Sequence, residues 1–382
     1  MKILYISHLH PPQEMDLENT GGMQRVSQQF VSELGKRKDI QLNTIILQSS
    51  WNWIALRTFL FLFKNLFAIK AQVKKNKPDV ILFSSMVTAG LAYFIRKQID
   101  VPMVCINHGQ DVTLPFLAYQ WFLPKVFKNL DGSISVSKAT REETIKRGMD
   151  PEKSVALPNG FSSEELNYEI TKEEGRDLMK NELKYDLNGK NVLLTVGRHV
   201  KRKGHEWFIN NVLPLINSDF IYIIIGDGPE FAKIKEAVDK SPNKENIILA
   251  GKQPDKVLRY AYAASDLFIM PNIKVPGDME GFGIVILEAN IAKTPAIASD
   301  MEGIKDVVKQ GKNGYRITIG SSHEFAAKID EVLHNELMTL SESSKKYVMN
   351  DFSWSNVLND YLGFLETVIK RTEQGQGIRN RK

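Results

Sequence analysis

Short apolar runs alternate with longer amphipathic ones along most of the chain, which is the pattern of βαβ units and constrains the fold more than any other feature. Strand-like runs are KILYIS (2–7), QLNTIIL (41–47), DVILFS (79–84), PMVCIN (102–107) and GSISVS (132–137). A second series follows with NVLLTVG (191–197), FIYIIIG (220–226), NIILAG (246–251), DLFIMP (266–271), TPAIAS (294–299) and NGYRIT (313–318). Between them lies a charge-rich stretch, residues 162–190, with no apolar alternation suited to a strand, and it reads as the domain boundary. Each series suffices for its own doubly wound parallel sheet, whose ligands bind beyond the carboxyl ends of the strands. Two such domains facing each other would form a cleft. The last apolar helix is WSNVLNDYLGFLETVIK (354–370), and TEQGQGIRNRK (372–382) reads as a frayed polar tail.

A chain of 382 residues has room for two such domains. Its one cysteine, Cys105, makes no internal disulfide and no multi-cysteine metal site, which suits a reducing, cytoplasmic setting. The apolar start MKILYISHLHPP breaks at Ser7 and His8, too soon for a signal-peptide core. Net charge is only +5, and residues 1–150 hold 19 Lys+Arg against 12 Asp+Glu, so the basic excess belongs to the first half. An acidic second half argues against nucleic acid as a partner.

Much of that excess lies in residues 51–77, where Arg57, Lys64, Lys70, Lys74, Lys75 and Lys77 accompany two tryptophans and four phenylalanines with no acid. Spanning a membrane takes about 20 mostly apolar residues, and Arg57 and Lys64 interrupt the run as one polar stripe. Two readings remain open: a heavily buried crossover helix with a solvated lysine end, or a helix lying in the interface of an anionic membrane, such as the cytoplasmic face of an inner membrane.

The second series carries the chemistry. Its first strand ends at Gly197 and leads into GRHVKRKG, which puts Arg198, Lys201, Arg202 and Lys203 where a diphosphate would bind. A solvated basic loop is the plainer alternative. Further on, DMEGFGIVILEAN places Glu280 and Glu288 eight residues apart. A helix starting near Gly283 would aim the backbone N–H groups of Phe282, Gly283 and Ile284 outward as an anion site. Glu288 would then sit one turn in, as a ribose-binding carboxylate or as an acid favoured by the helix dipole. GDGPEF supplies Gly226 and Gly228 but no Gly-X-Gly-X-X-Gly, which disfavours a dinucleotide oxidoreductase.

GRHVKRKG, GDGPE (226–230), EGFGIVILE and TPAIASDMEGIKDVVKQGKNG together resemble the nucleotide-sugar half of the retaining glycosyltransferases of family four, which have the GT-B fold. In the first half, TGGMQRV (20–26), NHGQD (107–111) and LPNGF (157–161) resemble that family's glycine-rich loop, histidine motif and domain exit. The resemblance implies two Rossmann-like domains, 1–165 and 166–354, with a carboxyl-terminal helix (355–382) crossing back to the first. It assigns Arg198 and Lys203 to the donor diphosphate, with Gly228 in the same donor site. It gives Glu288 to the ribose, and Glu280 with the backbone of Phe282, Gly283 and Ile284 to the sugar and phosphate. His108, Gly21, Gly22 and Asn159 would approach from the other domain, and His108, Glu280, Arg198 and Lys203 form the implied catalytic set. It implies a UDP-sugar donor, a hydroxyl acceptor, retention at the anomeric carbon, and neither metal nor cofactor. Residues 51–77 make a lipid-linked or cell-envelope acceptor attractive. Rival readings are an epimerase or hydrolase of the same fold, or a silent sugar-nucleotide sensor. His199 departs from the family by standing where an apolar residue is usual, which questions local packing.

Overall fold

Every strand that the apolar runs predict is present, each within three residues of its expected ends. The computed structural model describes residues 1–11, 22–49, 54–162 and 170–379. They divide into two compact units, Met1–Phe161 with Ser353–Lys382, and Ser162–Phe352.

The first unit holds β1 (Lys2–His10), β2 (Gln41–Gln48), β3 (Val80–Phe83), β4 (Met103–Asn107), β5 (Gly132–Ser135) and β6 (Ser154–Ala156). Between them run α1 (Gly22–Gly35), α2 (Ile54–Asn76), α3 (Met86–Ile95), α4 (Gln110–Thr113), α5 (Leu117–Phe127) and α6 (Lys138–Lys146). The second unit holds α7 (Lys172–Leu183), β7 (Asn191–Val196), α8 (His205–Asn211), β8 (Phe220–Ile225), α9 (Phe231–Lys240), β9 (Ile247–Gly251), α10 (Asp255–Ala264) and β10 (Leu267–Met270). It continues with α11 (Ile284–Ile291), β11 (Ala296–Ser299), α12 (Ile304–Val307), β12 (Gly314–Ile317), α13 (Ser322–Glu331) and α14 (Leu337–Asp351), after which α15 (Trp354–Arg379) returns to the first unit.

Both sheets have six strands, in the orders β2-β1-β3-β4-β5-β6 and β12-β11-β10-β7-β8-β9, and every pairing is parallel. Parallel strands are covered on both faces, which is why β3, β8 and β10 are uniformly apolar and wholly buried rather than alternating. Chain order reverses between β1 and β3 in one sheet and between β7 and β10 in the other, and those switch points open a crevice for ligands.

Three local expectations are corrected. The strand β6 has no apolar run to reveal it, being only Ser-Val-Ala. Part of the stretch read as a domain boundary unsuited to a strand is the helix α7, whose Thr171 and Glu174 form a capping box. Lys172 and Arg176 of α7 both pair at 2.8 Å with the buried Asp266, which ties the helix to the second sheet. The expected frayed tail is also helical as far as Arg379. At the start of α15, Trp354 is buried against Phe30, donates its indole N–H to Gln29 at 3.0 Å and lies against Gly160, where a Cβ would come within 2.4 Å of the ring.

Candidate active site

The loops after β7 and β10 meet at the switch point of the second sheet, and there the charged residues collect. Lys203 is 8% exposed and its Nζ donates to Glu280 Oε2 at 2.7 Å. Asn272, just beyond β10, donates its Nδ2 to the same oxygen at 3.1 Å. Arg202 stands 3.5 Å from Glu280 and 3.4 Å from Asp278. The backbone N–H of Glu280 donates to Glu302, and Gly303 N–H donates to the Glu280 carbonyl at 3.1 Å. Burial alone would raise the Glu280 carboxyl, but Lys203 and Arg202, with hydrogen bonds from Lys203 and Asn272, hold it below the usual carboxylate range. Lys203 is drawn below the usual lysine range by its burial, with Glu280 opposing. An incoming phosphate would add a second anion to a lysine that has only one, which favours its charged form.

Arg198 is exposed and has no ion-pair partner among the described residues, so its guanidinium is available to a ligand. The loop that carries it is zipped to the next strand end. His199 N–H donates to Asp227 O at 2.8 Å, and Glu230 N–H donates to His199 O at 3.0 Å. A Cβ on Gly228, at φ +155°, would come within 2.5 Å of the His199 carbonyl oxygen, so only glycine allows this approach. His199 itself is fully buried, stacked on Phe231 at 5.6 Å and edge-on to His205 at 5.0 Å, with both ring nitrogens unpartnered. It therefore packs as an aromatic ring, which accounts for its departure from the family pattern.

Helix α11 begins after Gly283, whose φ of +89° suits a residue without a Cβ. Phe282 and Gly283 are buried and Ile284 opens the helix. Glu288, one turn in, is buried and accepts a hydrogen bond from Tyr262 Oη at 2.8 Å. The structure thus joins Lys203 and Glu280 directly. It brings Arg202 of the predicted basic loop to the same carboxylate and adds Asn272, Glu302 and Tyr262, none of which the sequence reading assigned. Asn272 and Glu302 carry the one signal that could have found them, a polar residue just beyond a strand of the parallel sheet.

The first unit has its own cluster at the ends of β1, β3 and β4. His108 is half-buried, and its Nε2 lies 2.9 Å from the Ser84 carbonyl oxygen. That oxygen can only accept, so Nε2 carries the hydrogen, and in the neutral imidazole Nδ1 then keeps a lone pair. The buried Asp111 fixes the turn by accepting from His108 N–H at 2.8 Å and Met86 N–H at 2.9 Å. His8 is buried beside it, 3.3 Å from Ser85 Oγ, and burial, with His108 adding to it, pushes its pKa down to about 4. Asn159 is buried with its Oδ1 unpartnered among the described residues, and it lines a small cavity with His108, Ser27 and Trp354. Gly22 is the exposed first residue of α1, whereas Gly21 lies outside the described residues. Among the described residues no group of three or more His, Cys, Asp or Glu could hold a metal ion.

Residues 180–351 match the model of glycosyl transferases group 1, and residues 20–165 match that of glycosyltransferase family 4. The chain belongs to the family-four glycosyltransferases. A sulfoquinovosyl transferase of Arabidopsis thaliana is 27% identical over 70% of this chain and 52% of its own, so the chain spans about half the length of that relative. A UDP-Gal:alpha-D-GlcNAc-diphosphoundecaprenol alpha-1,3-galactosyltransferase of Escherichia coli is 26% identical over 76% of each chain. Among solved structures, the Anabaena protein HepE in complex with UDP superposes with a TM-score of 0.72 at 18% identity, covering 96% of this chain and 100% of that one. The fold is therefore GT-B, and the activity is glycosyl transfer from a nucleotide sugar.

Proposed function

We propose that this glycosyltransferase moves a sugar from a UDP-sugar to a hydroxyl of a lipid-linked or cell-envelope glycan, with retention at the anomeric carbon and without a metal ion, at the cytoplasmic face of a membrane. In the reaction the bond from the anomeric carbon to the diphosphate breaks and its electron pair stays on the phosphate oxygen. The acceptor oxygen bonds to the same carbon and its proton passes to the leaving diphosphate oxygen. The protein's main task is to stabilise the negative charge that grows on the leaving diphosphate. Lys203 and Arg198 supply the opposing positive charge, with the start of α11 as a further anion site. Glu280 holds Lys203 in place and faces the sugar, Glu288 takes the ribose hydroxyls, and Gly228 keeps the loop closed behind them. In the first unit His108 offers its Nδ1 lone pair to a sugar hydroxyl, while Gly21, Gly22 and Asn159 contribute to the same half.

One observation carries this reading, the buried Lys203–Glu280 pair at the switch point, in the loop that also carries the exposed Arg198. The UDP bound by the Anabaena structure and the UDP-Gal and lipid diphosphate in the name of the Escherichia coli relative support the choice of donor and acceptor class. The test is a panel of nucleotide sugars incubated with purified protein, without and with membrane-lipid extract, reading free UDP or GDP and labelled lipid. UDP release that requires the extract is the expected result. Donor turnover without any acceptor would favour an epimerase or hydrolase, and no turnover with lipid or soluble acceptors would favour a sensor.

A further inference from the structure

Helix α2 has apolar side chains on two faces. One face buries Ile69 in the core of its own unit and packs Phe61, Leu62, Leu66 and Val73 against it, while Phe59, Phe63 and Phe67 are 66%, 61% and 67% exposed. Composition could not show which of the two apolar faces meets the core. The exposure continues onto the neighbouring helices. α2 packs on α3 and α3 on α5, where Phe94 is 54% exposed, Leu117 89% and Trp121 69%. Of the twelve large apolar side chains that are exposed among the described residues, ten lie on these three helices or the residue before α5, so the exposed apolar groups concentrate on one set of packed helices.

The charges around the patch are all of one sign on α2. Arg57, Lys64 and Lys75 recur at spacings of seven and eleven along one edge, Lys74 adds to the basic end, and the helix has no acid. On α5, Lys125 sits 2.9 Å from the centroid of the Trp121 ring, pairing a cation with an interfacial aromatic. No helix among the described residues is long and apolar enough to cross a membrane. A two-fold contact with a second copy would set the cations of α2 against the same cations of the partner.

We propose that α2, α3 and α5 form a docking surface for an anionic lipid bilayer, with Phe59, Phe63, Phe67, Leu117 and Trp121 entering the headgroup region and the lysines held at its surface. This widens the membrane contact from one helix to a three-helix face. It needs no nucleotide or acceptor, so it stands or falls apart from the transfer reading.

The experiment is flotation of the full chain with liposomes of phosphatidylcholine alone or with one third phosphatidylglycerol, in the absence of donor. The wild type should float with the anionic vesicles and stay behind with the neutral ones. Lys64→Glu/Lys74→Glu/Lys75→Glu should lower the partition coefficient about 100-fold, and Phe59→Ser/Phe63→Ser/Phe67→Ser at least about 10-fold, with far-UV circular dichroism and Tm unchanged as the check on folding. Failure of the wild type to float with anionic vesicles would overturn the proposal. So would a wild-type dimer, in sedimentation without lipid, that the phenylalanine variant turns into a monomer, because the patch would then be a protein interface.

Discussion

The two sheets use their strand ends differently. At the β7/β10 switch point, Lys203, Arg202 and Glu280 are packed as charges at 2.7 to 3.5 Å, and Asn272 and Glu302 complete the set. At the ends of β1, β3 and β4 the corresponding residues are neutral or bound to backbone, with His108 on a carbonyl, His8 on a serine and Asp111 capping two N–H groups. A buried charge is tolerated only with a partner, and here Glu280 supplies one to Lys203 and Arg202. The cluster around His108 instead presents hydrogen-bond donors and acceptors, which suits a hydroxyl-rich partner.

The sharpest way to break this comparison is to remove one cation and one imidazole. Lys203→Ala should lower kcat/KM for transfer by about 1,000-fold, the upper range for loss of one preorganised donor, while His108→Ala, which removes one neutral hydrogen bond to a sugar hydroxyl, should cost about 10-fold. If the histidine variant were the more damaged, the charge-based account of the second unit would be wrong. Glu280→Ala probes the same cluster through stability. Removing it leaves Lys203 and Arg202 facing each other in a buried site, and breaking a buried pair typically costs about 3–5 kcal/mol. Because a diphosphate can replace the lost anion, UDP should raise the Tm of this variant more than that of the wild type. An equal shift in the two would remove the argument that Glu280 and the ligand share Lys203.

On a third count the two regions should behave alike. His8 in the first unit and His205 in the second are held neutral by burial, with pKa values of about 4 and about 3. Both lie below the ordinary value of 6.5, so the unfolded chain binds the extra protons. The stability this gives is complete above about pH 6.5 and is lost as pH falls toward the native values. Between pH 7.5 and 5 the loss should be about 2 kcal/mol for each histidine. Urea unfolding at the two pH values, repeated with His8→Asn and His205→Phe, should show the acid loss shrink by that amount in each variant. An unchanged slope in either one would mean that its imidazole is not the group that titrates.

The strands were legible because a doubly covered parallel sheet needs continuous apolar runs, and these survive in a single sequence. α7 was not, since its hold on the sheet is two ion pairs to Asp266, a residue more than 80 positions away. In the site, Lys203 and Glu280 could be read from spacing and from the family pattern. Arg202 stood in the same basic loop, but nothing local distinguishes it from Lys201, which is exposed. Glu302 acts through the Glu280 backbone, a contact across 22 residues that no motif encodes. The orientation of α2 was hidden for the opposite reason, since a helix with more apolar residues than one buried face needs does not show which of them meet the core.

A finer comparison lies within the second unit, between its charged cluster and the hydrogen bond that holds Glu288. Glu288 is buried in α11 and receives the Tyr262 hydroxyl at 2.8 Å, so the tyrosine orients the carboxylate while taking one of its acceptor positions. If the carboxylate binds a ribose diol, Glu288→Ala removes charge-assisted hydrogen bonds worth roughly 1.5–3 kcal/mol. That corresponds to a 10- to 100-fold rise in Kd for UDP. Tyr262→Phe keeps the carboxylate and removes one hydrogen bond that restrains it, worth roughly 1.5 kcal/mol at the low end for a bond to a charged group, so Kd should rise by about 10-fold at most. Calorimetry with UDP and with inorganic diphosphate separates the two ends of the nucleotide, because neither variant should alter diphosphate binding whereas Lys203→Ala should. Equal losses for UDP and diphosphate in Glu288→Ala would mean that Glu288 supports the start of α11 rather than the ribose.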